Sequence, residues 1–363
     1  MIKILNNKNK AAVSLFVVVF ATLLITVVTV SFARLMVKSQ QQATTTDLSQ
    51  SAYDSALAGV EDAKRALIEY SMNADRDTTT WATECNESLS GLGDLRESGG
   101  EIDITTQGDN NKLDQAYTCV KIRLNTADYL GSLSKDESKL IPLSSTGPFS
   151  KVKIQWFNNS DTNSIDLISP TGVAPLRTPD NWGVNNPSIL RTQLINFGDS
   201  FTLSSFDSDS SGNTETLFLY PANSGLNENI NFNKDSHRSA PNAPVLIDCD
   251  DRLSFDGYSC SATISIDDDL MNNRFLRLSS IYNRTNYRIV LLDDLGAPVE
   301  FNAVQPEIDS TGRTNDMFRR VKSRVELNTD FPYPEATIDI TGSLCKDFIV
   351  TDNTNHYSNS CEP

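Results

Sequence analysis

Histidine is almost missing from this 363-residue chain: only His237 and His356 are present. Imidazole-rich metal centres and most histidine-dependent catalytic designs are therefore scarce from the start. Basic charge is also short, with 31 Lys and Arg against 47 Asp and Glu and a formal charge of −16. Phosphate backbones are gripped by clustered Lys and Arg, so no nucleic-acid partner is expected. No Walker A loop, Gly-x-Gly-x-x-Gly, His-Glu-x-x-His or Gly-x-Ser-x-Gly element occurs, and no Cys-x-x-Cys pair. Enzymatic chemistry is not expected. Apolar residues make up 39% and charged residues 21%. That composition is compatible with a folded chain, and the length fits about two compact units.

Charge is missing altogether from Ala11 to Ala33, a run of 23 residues. As a helix it would extend about 34 Å, enough for a hydrocarbon core of about 30 Å. Its Val, Ile and Thr favour strands in water. In lipid, only a helix satisfies every backbone group within the segment. Lys3, Lys8 and Lys10 precede the run, which puts the N-terminus in the cytoplasm and the remainder outside. Arg34 and Lys38 sit where long cationic side chains snorkel. A cleaved secretory signal is the alternative, with Ser31-Phe32-Ala33 as a small-x-small cut site, although its apolar region would normally be shorter.

Proline is absent between Lys38 and Tyr70, and glycine occurs there once. Leu48, Ala52, Ala56, Gly59, Val60, Ala63, Leu67 and Tyr70 recur at three-four spacing, one stripe of a helix. Asp47, Asp54, Glu61, Asp62, Lys64, Arg65 and Glu69 fall on the other face. Glu61 and Arg65 have the favourable i,i+4 order. The whole reads as one helix of about 60 residues and about 90 Å. Its small-residue stripe, centred on Ala52, Ala56, Gly59 and Ala63, suits close approach to another helix or a sheet. An anchor followed by an unrelated surface helix is the alternative.

Beyond Tyr70 the helical period vanishes. Strand-like runs recur at 116–124, 151–157, 189–197, 216–220, 260–266, 274–282, 287–294 and 318–327, separated by Asp/Asn/Ser/Gly clusters. In the last run Val321, Ser323, Val325 and Leu327 share one face. The Pro-bearing stretch 168–187 is the best internal boundary, and no repeat is found. Cys85, Cys119, Cys249, Cys260, Cys345 and Cys361 all follow the apolar run. An even count in an oxidising exterior favours disulfides. Near neighbours are the expected pairs, 85–119, 249–260 and 345–361, with other connectivities and free buried thiols remaining open. Asp207, Asp209, Ser211 and Asn213 around Gly212 resemble a calcium loop, but Phe218 stands where the bidentate acid belongs. Asp267, Asp268 and Asp269 read as a solvated turn. No cofactor is expected, calcium being the one candidate considered.

The fold class expected is α+β: a long N-terminal helix, transmembrane then amphipathic, packed on a β-rich, disulfide-stapled extracellular head. The expected divisions are a basic cytoplasmic leader at 1–10, a transmembrane helix at 11–35 and its amphipathic continuation at 36–72. The head follows as 73–167, a Pro-bearing linker at 168–187 and a main part at 188–363.

Three segments resemble the type IV pilin superfamily, most closely PilX-type minor pilins and the K-type pseudopilins of type II secretion. They are the basic-to-apolar junction NNKNKAAVSLFVVVF at 6–20, the helix SQQQATTTDLSQSAYDSALAGVEDAKRAL at 39–67, and STGRTNDMFRRVKSRVEL at 310–327. In the second, Ala58-Gly59-Val60-Glu61-Asp62-Ala63 is similar to an Ala-Gly-acidic-acidic-Ala element of the family. In the third, the resemblance implies a turn at Ser310-Thr311-Gly312-Arg313 leading into an arginine-studded strand. It also implies prepilin-peptidase processing around Lys10, Ala11 and Ala12. The chain departs from the pattern there, because Lys10-Ala11 stands where the family carries Gly. If Ala12 begins the mature chain, Phe16 replaces the Glu of major pilins, as in some tip subunits. The implied function is a non-enzymatic minor or tip pilin in filament assembly and surface adhesion. Its partners would be other pilin subunits, the assembly machinery and membrane lipid, with the surface ligand of the head unknown. It would sit in the membrane as a single-pass protein and in a surface filament after assembly. The competing expectation is a membrane-anchored extracellular binding module that does not polymerise.

Overall fold

A computed structural model of the chain describes residues 8–73, 77–93, 95, 97–104, 114–169, 179–196, 214–235, 244–266 and 274–327. His237, His356, Cys345, Cys361 and the acidic clusters around Asp207 and Asp267 lie outside the described residues. Among the described residues the fold is α+β: one long N-terminal apolar helix and three β-sheets. Two compact units interleave along the chain. The first comprises 1–66, 76–121 and 308–323; the second comprises 67–75, 122–307 and 324–363.

Helix α1 runs unbroken from Lys8 to Met72. Polar hydroxyls in its apolar part are absorbed by the helix itself. Thr22 and Thr26 donate to the carbonyls three residues back, and Thr29 and Ser31 to those four back, at 2.7–2.9 Å. Such back-bonding removes the cost of carrying hydroxyls in an apolar run. Further along, Lys64 reaches Glu61 at 2.7 Å and Arg65 reaches Asp62 at 3.1 Å, both i,i+3 pairs beside the expected i,i+4 spacing.

In the first unit this helix is accompanied by a five-stranded sheet. Its order is β1 (Glu97–Ser98), β2 (Glu101–Asp103), β3 (Gln115–Arg123), β15 (Glu307–Thr314) and β16 (Met317–Arg324). The segment Ser310-Thr311-Gly312-Arg313 is not the turn that the resemblance implies. It lies inside β15, and the turn is the two-residue connection Asn315-Asp316, where Asn315 takes a left-handed φ of 48°. Glycine at 312 serves close packing rather than chain reversal. β16 is the edge, and its alternation buries little: Val321 is half-buried and Phe318 exposed.

The second unit contains two further sheets packed face to face. One has the order β10 (Val245–Asp248), β8 (Thr214–Ala222), β7 (Ile189–Asn196), β12 (Arg274–Ile281) and β5 (Ser138–Pro142). The other has β14 (Pro298–Val299), β13 (Thr285–Leu292), β6 (Lys151–Asn158), β11 (Tyr258–Ser265) and β9 (Ile230–Asn231), with β4 (Tyr129–Leu133) also paired to β13. Period-two alternation sends Leu190, Leu194, Leu276 and Leu278 inward from the first sheet. Val152, Ile154, Trp156, Ile289 and Leu291 meet them from the second. Buried Trp156 donates its indole N–H to the Ser188 carbonyl at 3.0 Å, so its polar edge is satisfied inside the core.

The expected linear divisions 73–167 and 188–363 are not the units of this fold. Strands adjacent in the first sheet, β3 and β15, belong to segments far apart in sequence. Nor are the described parts of 168–187 a free linker. Ile168 and Trp182 join Ile189, Tyr220, Ile281 and Tyr282 in a small apolar cluster, with Trp182 edge-on to Tyr220 at 5.5 Å.

Candidate functional site

From Leu15 to Asp47 every side chain of α1 is exposed, and the apolar window within α1 has a mean hydropathy of 2.7. A helix this long and apolar, uncovered on all sides, is a candidate membrane anchor or signal sequence. The character changes at Ala52. Ala52, Ala56 and Ala63 are fully buried, as are Ser55, Gly59 and Val60, in an i, i+3, i+4, i+7 progression.

What buries them is the sheet of the same unit. On β15, Ile308, Ser310, Gly312 and Thr314 alternate inward, and the small ones let the two backbones approach. A Cβ added to Gly312 would collide with the Ala56 amide nitrogen and the Ala52 carbonyl oxygen, and would stand 2.7 Å from the Ser55 carbonyl carbon. One added to Gly59 would stand 2.9 Å from Val120 Cγ2 and 3.2 Å from the Tyr117 ring, both on β3. The stripe is thus paired with a second stripe of small residues on the strand. Helix and sheet meet backbone to backbone at one point and glycine to side chain at another.

Polar contacts fix the register of this seat. Tyr117 donates its hydroxyl to Asp62 at 2.6 Å, Thr314 lies 3.1 Å from Ser51, and Gln115 reaches the same serine. Arg319 of the edge strand donates to Ser49 at 2.7 Å. On the opposite face of β15, Arg313 forks onto Glu101 at 2.6 Å and Asp114 at 2.7 Å, joining β15 to β2 and the start of β3. Its hydrogen bonds and then its charge hold the Asp114 carboxyl below the usual carboxylate range and keep the guanidinium protonated. Arg320 clasps Asp309 across the hairpin and, against the opposing effect of burial, lowers that carboxyl's pKa as well.

Cys85 and Cys119 form a disulfide, and Asn86 brackets it by accepting from the Val120 amide at 2.9 Å and donating its own amide to the Val120 carbonyl at 2.9 Å. The bridge therefore fixes Val120, one of the strand residues that meet Gly59 together with Ser310 and Tyr117. Cys249 and Cys260 form a second disulfide inside the core of the other unit, across an antiparallel bridge. The backbone of Lys10, Ala11 and Ala12 lies within α1. Residue patterning found the helix half of the seat but missed Ser310, Gly312 and Thr314. Their signal is a period-two run of small residues in Ser-Thr-Gly-Arg-Thr. Among the described residues no group of three His, Cys, Asp or Glu side chains could hold a metal ion. No family pattern, no curated protein and no solved structure matches this chain.

Proposed function

We propose that the chain is a non-enzymatic, pilin-like structural subunit, a minor or tip member of a surface filament with an adhesive head. The observation that carries this reading is the change of exposure along one unbroken helix. The small-residue stripe from Ala52 to Ala63 is already occupied by the chain's own sheet, which leaves the apolar half as the part that requires a partner. A helix of that kind is equally stable in lipid and among similar helices, so moving from one to the other need not expose it to water. In this reading the head faces outward, other pilin subunits and the assembly machinery are the partners, and the membrane holds the monomer.

Mechanical shearing of intact cells tests it. The full chain is expected in the sheared filament fraction together with other filament subunits. Retention in the membrane while filaments free of the chain are released would overturn the reading in favour of an anchored, non-polymerising binding module.

A further inference from the structure

The outer face of the sheet that contains β6, β11 and β13 is the floor of a groove of about 680 Å³, lined by residues of the second unit. Because Val152, Ile154 and Trp156 point into the core, the alternate residues of β6 point outward, and register aligns them with their neighbours. One rank across the floor is Ser261, Gln155 and Arg288. The next is Thr263, Lys153 and Val290, and the third is Ser265, Lys151 and Leu292. Along the strands, β11 thus supplies a column of hydroxyls, β6 a column of amide and ammonium donors, and β13 a column that turns apolar after Arg288.

Three walls are each hydrogen-bonded to this floor. The chain reverses between Phe255 and Tyr258 through Asp256 and Gly257, at φ 53° and 91°, the left-handed pair that suits a two-residue hairpin. The buried Gln155 amide donates to the Phe255 carbonyl at 3.0 Å. On the β11 side the Asn227 carbonyl accepts from the Thr263 amide at 2.8 Å. On the β13 side Lys151 donates to the Asp294 carbonyl at 3.0 Å, next to Leu295, which is 94% exposed. A groove whose walls are fixed to its floor is formed before any ligand arrives, so binding carries little ordering cost.

The charges in the groove are mixed. Lys153 stands 3.7 Å from the exposed Asp256 carboxylate, and Arg288, anchored on Asp128 at 2.9 Å, stands 3.5 Å from it. Glu228 adds a second acid to the wall. The two contacts to Asp256 are longer than good hydrogen bonds, and polar groups so spaced are readily bridged by a water or a hydroxyl. A simple anion in the groove would face Asp256 and Glu228, and a simple cation would face Lys151, Lys153 and Arg288. Ammonium and guanidinium groups only donate, carboxylates only accept, and a hydroxyl does both. A ligand dense in hydroxyls therefore satisfies both sets at once, while the C–H edge of its rings meets Val290, Leu292 and Leu295.

We propose that this groove binds an uncharged oligosaccharide, its hydroxyls held by Lys153, Asp256 and the β11 hydroxyls and its apolar ring edge laid on the β13 column. The volume falls within the range of small-molecule sites. This ligand class deepens the reading of an adhesive head and rests on that reading for its role. Binding itself is measured on unassembled chain, so its failure and a failure of the shearing test are separate results.

The test is saturation-transfer NMR of the full chain in micelles of a sugar-free zwitterionic detergent. Cellotriose, maltotriose and triacetylchitotriose are the neutral probes, and trigalacturonate is the charged one. Saturable binding of at least one neutral probe is expected, tighter than that of trigalacturonate. Lys153→Met should weaken it at least about tenfold and Thr263→Val about two- to tenfold. Lys135→Gln, exposed in the turn between β4 and β5 and outside the groove, should leave it unchanged. If Lys153→Met lowers the melting temperature, Thr263→Val carries the test, since it removes one hydroxyl from a half-buried floor position and keeps a strand-forming residue there. Absence of saturable binding by every neutral probe overturns the proposal. Tighter binding of trigalacturonate does so too, as does unchanged affinity in the decisive groove variant or an equal loss in Lys135→Gln.

Discussion

Gly312 of β15 rests on the backbone of Ala56 in α1, so closely that a single methyl group would collide with the Ala56 amide nitrogen. Neither partner can yield cheaply, because one is helix backbone and the other is held in a strand between two neighbours. Gly312→Ala is therefore expected to destabilise the first unit by about 1–3 kcal/mol, the usual range for forced overpacking. Gly93→Ala, with nothing near the added carbon, is the control. Denaturant unfolding of both variants measures the difference, and equal midpoints would contradict it.

Gly59 faces side chains rather than backbone. A branched residue there, Gly59→Leu, should force helix and sheet apart while leaving the exposed apolar half untouched. The expected outcome is normal membrane fractionation with faster proteolysis of the Cys85–Cys119 region. Unchanged proteolysis would show that the seat tolerates the added volume.

The two disulfides among the described residues close loops of 34 and 11 residues. In the loop-entropy account they stabilise by about 4 and about 3 kcal/mol respectively. Replacing Cys85 and Cys119 together by Ser should therefore lower the melting temperature of the first unit more than replacing Cys249 and Cys260 lowers that of the second by entropy alone. The buried 249–260 pair adds a packing loss. Calorimetric scans of each double variant in micelles separate the two, and no shift for the 85–119 pair would refute its structural role.

Asp114 and Asp309 have carboxyl pKa values below the ordinary range in the folded chain, set by Arg313 and Arg320. A depressed carboxyl pKa contributes stability that is present above the unfolded value of about 3.9 and is lost as pH falls through the folded one. Stability of the first unit is thus expected to be level from neutral pH down to about 5 and to decline below about 4. Arg313→Gln should make that acid limb shallower, because Asp114 then titrates alike in both states. Urea midpoints across pH 2–7, on a grid chosen around these reference values, check the slope.

Leu24 lies in the middle of the uncharged run and is about half exposed. Leu24→Lys should cost about 2.5–3.5 kcal/mol on membrane insertion scales and shift the chain from the membrane to the soluble fraction. Unaltered fractionation would argue against the segment as an anchor.

The helix and its stripe are legible because a Pro-free, uncharged run leads straight into a 3.6-residue period, and burial at Ala52, Ala56, Gly59 and Ala63 follows that period. Long strands such as β6, β7, β12 and β13 are legible for the same reason at period two. Short β4 and β5 are not, since five residues with Gly131 or Pro142 carry too little pattern. β15 escapes because, after Ile308, its inward residues Ser310, Gly312 and Thr314 are small or polar. Where the strand touches helix backbone, at Gly312, it cannot display the branched apolar side chains by which strands are recognised. The interleaving of the units is hidden for a different reason. Strand order is a long-range property, and nothing near Ile308 states that its neighbour is β3.

That interleaving gives the chain a schedule. The sheet that covers the α1 stripe is incomplete until β15 and β16 have been made, yet the stripe and β3 are synthesised before residue 124. At about 5–20 residues per second, the intervening segment takes roughly 10–40 s to appear. Throughout that interval Ala52, Ala56 and Gly59 wait uncovered beside an unpaired β3 edge, while the intervening strands already have the partners they need to collapse on one another. The first unit begins earliest and cannot close until residues 122–307 of the second have been made, so a long period of exposure to aggregation and proteolysis falls within the protein's own synthesis.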